Sequence, residues 1–99
     1  MDFPRLSGKE AEILRLLIAN GEMYGLQMVD ASKELKRGTI YVTLMRMADK
    51  GYVESREEDS PPLGRPARKL VKVTGHGVLA YRAMEAAQRT FAGGTAWAT

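Results

Sequence analysis

Thr39, Val42, Thr43 and Arg46 fall on one flank of a helix drawn through residues 38–51, because steps of three and four residues return to the same side. Two hydroxyls, a branched apolar side chain and a guanidinium on one surface suit a duplex nucleic acid. Arginine can bond a guanine edge through two parallel hydrogen bonds, an exposed methyl can touch that of thymine, and hydroxyls suit phosphate oxygens. On this reading Thr39 and Tyr41 position the helix, while Thr43 and Arg46 read bases. Val42 fits a thymine contact or a protein contact equally well, since a single exposed apolar residue is common on any surface.

Other cations gather around this segment. Lys33, Lys36 and Arg37 precede it, Lys50 ends it, and Arg65, Arg68, Lys69 and Lys72 follow, whereas Glu54, Glu57, Glu58 and Asp59 form one acidic stretch between. Taken singly, each is what a solvated face carries. Arg65, between Gly64 and Pro66, sits where a loop tip could reach a minor groove, and Arg68 and Lys69 could hold phosphates at its base. The acidic stretch would repel a polyanion if it pointed the same way, unless it orients the basic residues through surface pairs. Catalysis is poorly served by this inventory. His76 has no cysteine and no neighbouring acid at a motif spacing, and Gly64-Arg65-Pro66 lacks the glycine spacing and downstream Lys-Ser/Thr of a phosphate-cradling loop. No enzyme activity and no cofactor are expected, and with no cysteine and one histidine there is no plausible zinc cluster.

The elements that must hold these residues follow from periodicity and caps. Ser7 can cap a first helix with Glu10 bonding back to it, Leu6 can pack on Ala11, and Ile13, Leu14, Leu17 and Ile18 form one buried stripe that ends at Asn20-Gly21. A second helix is expected from Tyr24 to about Lys33, with Leu26, Met28 and Val29 inward and Gly25 allowing it to cross the first closely. The third begins at Gly38-Thr39, ends before Gly51 and turns Ile40, Leu44, Met47 and Ala48 inward. From Tyr52 the period shortens: 52–57 and 68–73 read as two strands of a hairpin joined by a Pro- and Gly-rich connection. Thr74 caps a last helix carrying Val78, Leu79, Met84, Ala87 and Phe91 at roughly helical separations. Its small residues cover more circumference than one intrachain contact requires, so Ala80, Ala83, Met84, Ala87 and Phe91 are expected against a second copy. Gly93-Gly94 is expected to break it, leaving a short tail.

A chain of 99 residues with net charge +3 bounds this to one compact unit, for which pairing with a second copy would complete a small core. No apolar run approaches 18 residues, and Met1-Asp2-Phe3-Pro4 lacks the basic and hydrophobic regions of a secretory signal, so a cytoplasmic protein without a membrane span is expected.

Several fragments in order carry a resemblance. They are Leu6-Ser7 and Glu10 before Ile13-Leu14, then Gly21-Glu22-Met23-Tyr24-Gly25, then Gly38-Thr39-Ile40-Tyr41 with Leu44, Arg46, Met47 and Gly51-Tyr52-Val53. Gly64-Arg65-Pro66-Ala67-Arg68-Lys69, Thr74 and Gly77 continue the series. Over roughly residues 6 to 80 the chain resembles the PadR-like transcription regulators. The resemblance implies a winged helix-turn-helix, mainly α with a small β-hairpin and a C-terminal dimerisation helix. It also implies a homodimer that binds a short palindromic operator in double-stranded DNA, usually represses, and is often released by a small aromatic effector near the dimer interface. Matching residues carry a DNA role onto Tyr24, Thr39, Tyr41 and Arg65. With the basic residues read above, the expected DNA-binding set is Tyr24, Lys36, Arg37, Thr39, Tyr41, Val42, Thr43, Arg46, Arg65, Arg68 and Lys69. Phe91 and Trp97 are the candidates for an effector site. Residues 1–74 would form the DNA-binding domain, 75–92 the dimerisation helix and 93–99 the tail. Two departures stand out: Leu70-Val71 occupies a place usually held by two aromatics, and Val42 one compatible with proline. The rival reading is a winged-helix protein-interaction module that does not read DNA and uses Tyr41, Val42 and the Ala-rich surface instead.

Overall fold

The computed structural model describes the backbone of residues 5–97 and the side-chain surroundings of residues 5–89. The order is α1 (Gly8–Asn20), β1 (Met23–Tyr24), α2 (Gly25–Ala31), α3 (Ile40–Asp49), β2 (Val53–Glu57), β3 (Lys69–Val73) and α4 (Gly75–Trp97). No helix among the described residues is long and apolar enough to cross a membrane.

Helix α1 begins with the expected reciprocal cap. The Glu10 amide donates to Ser7 Oγ at 3.1 Å and the Ser7 amide donates to Glu10 Oε1 at 2.9 Å, satisfying two groups that the helix itself cannot. It ends at Gly21, whose φ of 81° suits a residue without a Cβ and whose amide donates to Leu17 O. Ile13, Leu14 and Leu17 are buried as their spacing predicts. Ile18 is not: it is 42% exposed, and Leu16 is buried in its stead. Helix α1 is covered by α3 and β3 as well as by α4, which widens its buried arc toward Leu16 and leaves Ile18 on the rim.

The sheet has one strand more than a hairpin. Met23 pairs with Val71 and Tyr24 with Leu70, while β2 runs antiparallel to β3 from Val53↔Val73 to Glu57↔Lys69, giving the order β1-β3-β2. Tyr24 is therefore the end of a strand and the residue before α2, where the sequence suggested the first turn of a helix. Two residues show no alternation to read, and their partners lie beyond α3 in the chain.

Ile13, Leu14, Leu17, Met28, Ile40 and Met47 form the dry centre of the core, joined by Leu35 from the turn between α2 and α3. Helix α3 turns Ile40, Leu44 and Met47 inward. Ala48, expected with them, is exposed at the edge facing the sheet. Leu26 and Val29 are half-buried.

Helix α4 is rooted at the corner between α3 and β2. Thr74 Oγ donates to Gly51 O at 2.6 Å and accepts from the Gly77 amide at 3.0 Å, while the Thr74 amide donates to Tyr52 O at 3.0 Å. A Cβ built on Gly77 would stand 2.2 Å from Tyr52 O and 3.1 Å from its carbonyl carbon. Ala80, expected at a subunit boundary, is 3% exposed and belongs to the chain's own core, because the helix must bury one face here before any partner is met. The helix runs through Gly93-Gly94 to Trp97 instead of breaking there. Glycine costs about 1 kcal/mol relative to alanine in a helix, yet unlike proline it keeps its amide, so the ladder of hydrogen bonds can continue. The Phe91 and Trp97 side chains, the effector candidates, lie outside the described residues.

One ion pair ties the first helix to the third: Lys50 Nζ donates to Glu10 Oε2 at 2.9 Å. Burial pushes the Glu10 carboxyl up, but the Ser7 amide and the Lys50 ammonium together outweigh it and hold the group below the ordinary carboxylate value. Its stabilising contribution is thus present above the unfolded-state pKa and lost as pH falls through the lower folded value.

Two outcomes are expected. Gly77→Ala should destabilise by about 1–3 kcal/mol in denaturant unfolding, because the clash is with backbone and exceeds the helix-propensity gain of about 1 kcal/mol; an unchanged midpoint would show that α4 shifts freely. The stability advantage of wild type over Glu10→Gln should shrink as pH drops below about 4.3, and parallel curves from neutral to acid would remove the ion pair from the account.

Candidate nucleic-acid interface

Because Ile40, Leu44 and Met47 anchor one side of α3, its opposite side forms a ridge between two grooves. The first groove, of about 430 Å³, lies between α3 and the start of α1 and is lined by Lys9, Thr39, Val42, Thr43, Arg46 and Lys50, with Ser7 and Glu10 at its back. Lys9 Nζ donates to Thr39 Oγ1 at 3.3 Å, which leaves the Thr39 hydroxyl hydrogen to donate outward. Thr43 Oγ1 donates to Thr39 O at 3.0 Å, so in this rotamer its oxygen remains as an acceptor.

The second groove, of about 450 Å³, separates α2 and α3 from the approach to β3. It brings together Tyr24, Arg37, Tyr41, Arg65, Arg68 and Lys69, six residues expected to bind DNA and spread over 46 positions of the chain, with Asp30 among the lining residues. The Arg68 guanidinium stands 4.2 Å from the centre of the Tyr24 ring, a cation–π stack that holds the charge at the groove. Gly25 shapes the same wall. A Cβ there would stand 2.9 Å from Tyr41 Cε1, so the missing side chain makes room for the Tyr41 ring, whereas the sequence had suggested a crossing with α1. Lys36 is exposed on the turn before α3 and lines neither groove.

Between β2 and β3 the connection turns at Pro62–Arg65. The Arg65 amide donates to Pro62 O, Gly64 has φ 84°, and Leu63 at the tip is fully exposed. Arg65 folds back from this tip: Nη2 donates to Glu58 Oε1 at 2.9 Å and Nη1 to Pro66 O at 3.3 Å. Desolvation raises the Glu58 carboxyl, and hydrogen bonds from Arg65 and the Arg68 amide lower it by more, keeping it ionised below the ordinary carboxylate range.

Glu54, Glu58 and Asp59 of the acidic stretch pair with the wing's own cations. Arg56 makes two hydrogen bonds to Glu22, both 2.8 Å, and a longer one to Asp59, while Lys72 pairs with Glu54 at 3.7 Å. Such exposed pairs contribute little to stability, but they neutralise Arg56, Arg65 and Lys72 locally. Arg37, Arg46, Arg68 and Lys69, which line the two grooves, are exposed and in no ion pair among the described residues.

Three contributors escaped the sequence reading. Lys9 reaches Thr39 across thirty positions, and Lys50 joins the first groove while paired to Glu10; no local spacing reports either. Met45, 68% exposed on α3, was readable as the residue three beyond Val42.

A family model described as the transcriptional regulator PadR-like family matches residues 13–83. No curated protein matches the chain in sequence. Among solved structures, it is similar to a PadR-like transcription factor from Bacteroides fragilis, with TM-score 0.77 and 23% identity over 92% of this chain and 89% of that one. A PadR-family regulator from Clostridium difficile R20291 superposes with TM-score 0.72 at 24% identity, covering 83% and 88% of the two chains. Bacillus subtilis PadR, solved in complex with operator DNA, gives TM-score 0.68 at 22% identity, covering 80% of this chain and 47% of that one. At these identities the structures speak for the fold, while the family match runs from the middle of α1 to the first part of α4. The chain belongs to the PadR-like family of transcriptional regulators.

Proposed function

We propose that the protein is a homodimeric, cytoplasmic DNA-binding repressor that inserts α3 of each subunit into the major groove of a short palindromic operator. The observation that carries this reading is the ridge of α3 flanked on both sides by unneutralised cations and hydroxyls. A helix with its side chains is about 10–12 Å across and the major groove about 12 Å wide, so a seated helix brings the phosphates of both groove edges against its flanks. Lys9, Thr39 and Lys50 then serve one edge, and Tyr24, Arg37, Tyr41, Arg68 and Lys69 the other. Arg46 and Thr43 reach base edges. Arg65 exchanges Glu58 for a phosphate or minor-groove contact. That Bacillus subtilis PadR, of similar fold, was solved with operator DNA supports the assignment.

The second copy is the partner for α4. With 23 residues the helix is roughly 35 Å long by its rise per residue, and it presents Leu79, 65% exposed, with half-buried Ala83, Met84 and Ala87 further along. A two-fold axis here would set the two α3 helices in successive major grooves, which makes the operator palindromic.

Binding to a pool of mixed duplexes should weaken steeply with added salt, and no association at low ionic strength would sink the DNA reading. Arg46→Ala should relax preference at one position by about 1–3 kcal/mol, whereas Arg68→Ala should weaken all sequences alike and reduce the salt slope by about one. Glu58→Gln, which releases Arg65 and removes a negative charge, should tighten binding at low salt; unchanged or weaker binding would assign Arg65 to the wing alone. Sedimentation at tens of micromolar should show a dimer for wild type and a monomer for Leu79→Asp.

A further inference from the structure

The ridge of α3 is apolar where its flanks are polar. Counting about 100° per residue from Ile40 places Met45 at about 140° and Val42 at about 200°, opposite the buried face. They are 68% and 51% exposed. Cations outnumber carboxylates on both sides of them, with Lys9, Arg46 and the Glu10-paired Lys50 along the first groove and Arg37, Arg65, Arg68 and Lys69 against Asp30 along the second. Asp49, next on the ridge, is exposed and cannot serve a phosphate, though it can accept from a cytosine amine. An occupant of this surface must therefore offer small apolar groups on a floor walled by anions. The major groove does so at thymine, whose 5-methyl projects between two rows of phosphates.

We infer that Val42 and Met45 together read the methyl groups of two thymines in each half-site. Residues three apart on a helix have Cβ atoms about 5–6 Å apart, against a rise of about 3.4 Å per base step, so the two thymines lie one or two base steps apart. Van der Waals contact with a methyl is the only discrimination these side chains can supply, since neither carries a hydrogen-bonding group suited to a base edge. The inference rests on the DNA-binding reading above and specifies what the centre of that interface recognises.

The test begins with a duplex selected by the intact protein from a random pool. Each thymine is then replaced singly by deoxyuridine, which removes the methyl and keeps the pairing edge. Two positions per half-site should each weaken binding about fourfold, the worth of burying one methyl-sized group. Met45→Ala should bind thymine and deoxyuridine alike at one of them, and Val42→Ser at the other, while both variants keep the wild-type melting temperature. A selected duplex bound equally tightly with either base at every position overturns the inference and leaves DNA binding intact, as does discrimination that survives both substitutions. If no duplex is selected at all, the DNA reading falls and this inference with it, leaving Val42 and Met45 as a protein-contact surface.

Discussion

Burial of Ile40, Leu44 and Met47 is the constraint on which the rest depends. A helix of ten residues can hide only one side, and these three commit that side to Ile13, Leu14, Leu17 and Met28. Everything else on α3 is thereby oriented. Thr39 and Thr43 are sent toward α1, Tyr41 and Ala48 toward the sheet, Val42 straight out, and Met45 outward on the sheet side. The outward chemistry needs no support from its own surroundings, because the inward chemistry has already set its direction. The ion pair between Lys50 and the buried Glu10 adds a second contact to α1 at the far end of the helix.

Charge is organised by subtraction. A net charge of +3 spread over 99 residues is a weak field. The wing, however, matches Arg56, Arg65 and Lys72 with Glu22, Glu58, Asp59 and Glu54 at short range, and so withdraws that part of the surface from the balance. Among the cations left unpaired, Arg37, Arg46, Arg68 and Lys69 lie beside α3. The arrangement also gives three residues of the acidic stretch, Glu54, Glu58 and Asp59, a purpose compatible with a polyanionic partner, since their carboxylates pair with cations of the wing.

The parts of this fold that could be read from the chain are those whose causes are local. Ser7 with Glu10, Thr74 ahead of α4, and the three- and four-residue spacing of Ile40, Leu44 and Met47 each carry their partner within one or two turns. The parts that could not be read depend on distant segments. Strand β1 exists only because β3 returns to it, Gly25 answers to the Tyr41 ring, and Ile18 is exposed because α1 is covered on other sides. Arg65 shows the same limit at the site. Its place beside Gly64 announces a turn, but the direction of its guanidinium was decided by Glu58, seven residues earlier and across the hairpin. Ala80 could be counted among small residues on α4 without any sign that the core would claim it first.

The junction around Tyr52 joins α3 and α4 more tightly than a loop would. The Tyr52 amide donates to Met47 O, its carbonyl accepts from Thr74, and the Thr74 hydroxyl reaches Gly51 O, so the end of α3 and the start of α4 share one knot of backbone with no slack for a Cβ at Gly77. Mechanically this is an elbow, and α4 is a lever whose fulcrum is the last turn of α3. A tilt at this fulcrum is felt least beside the ridge and most at the far end of the helix, 22 residues on.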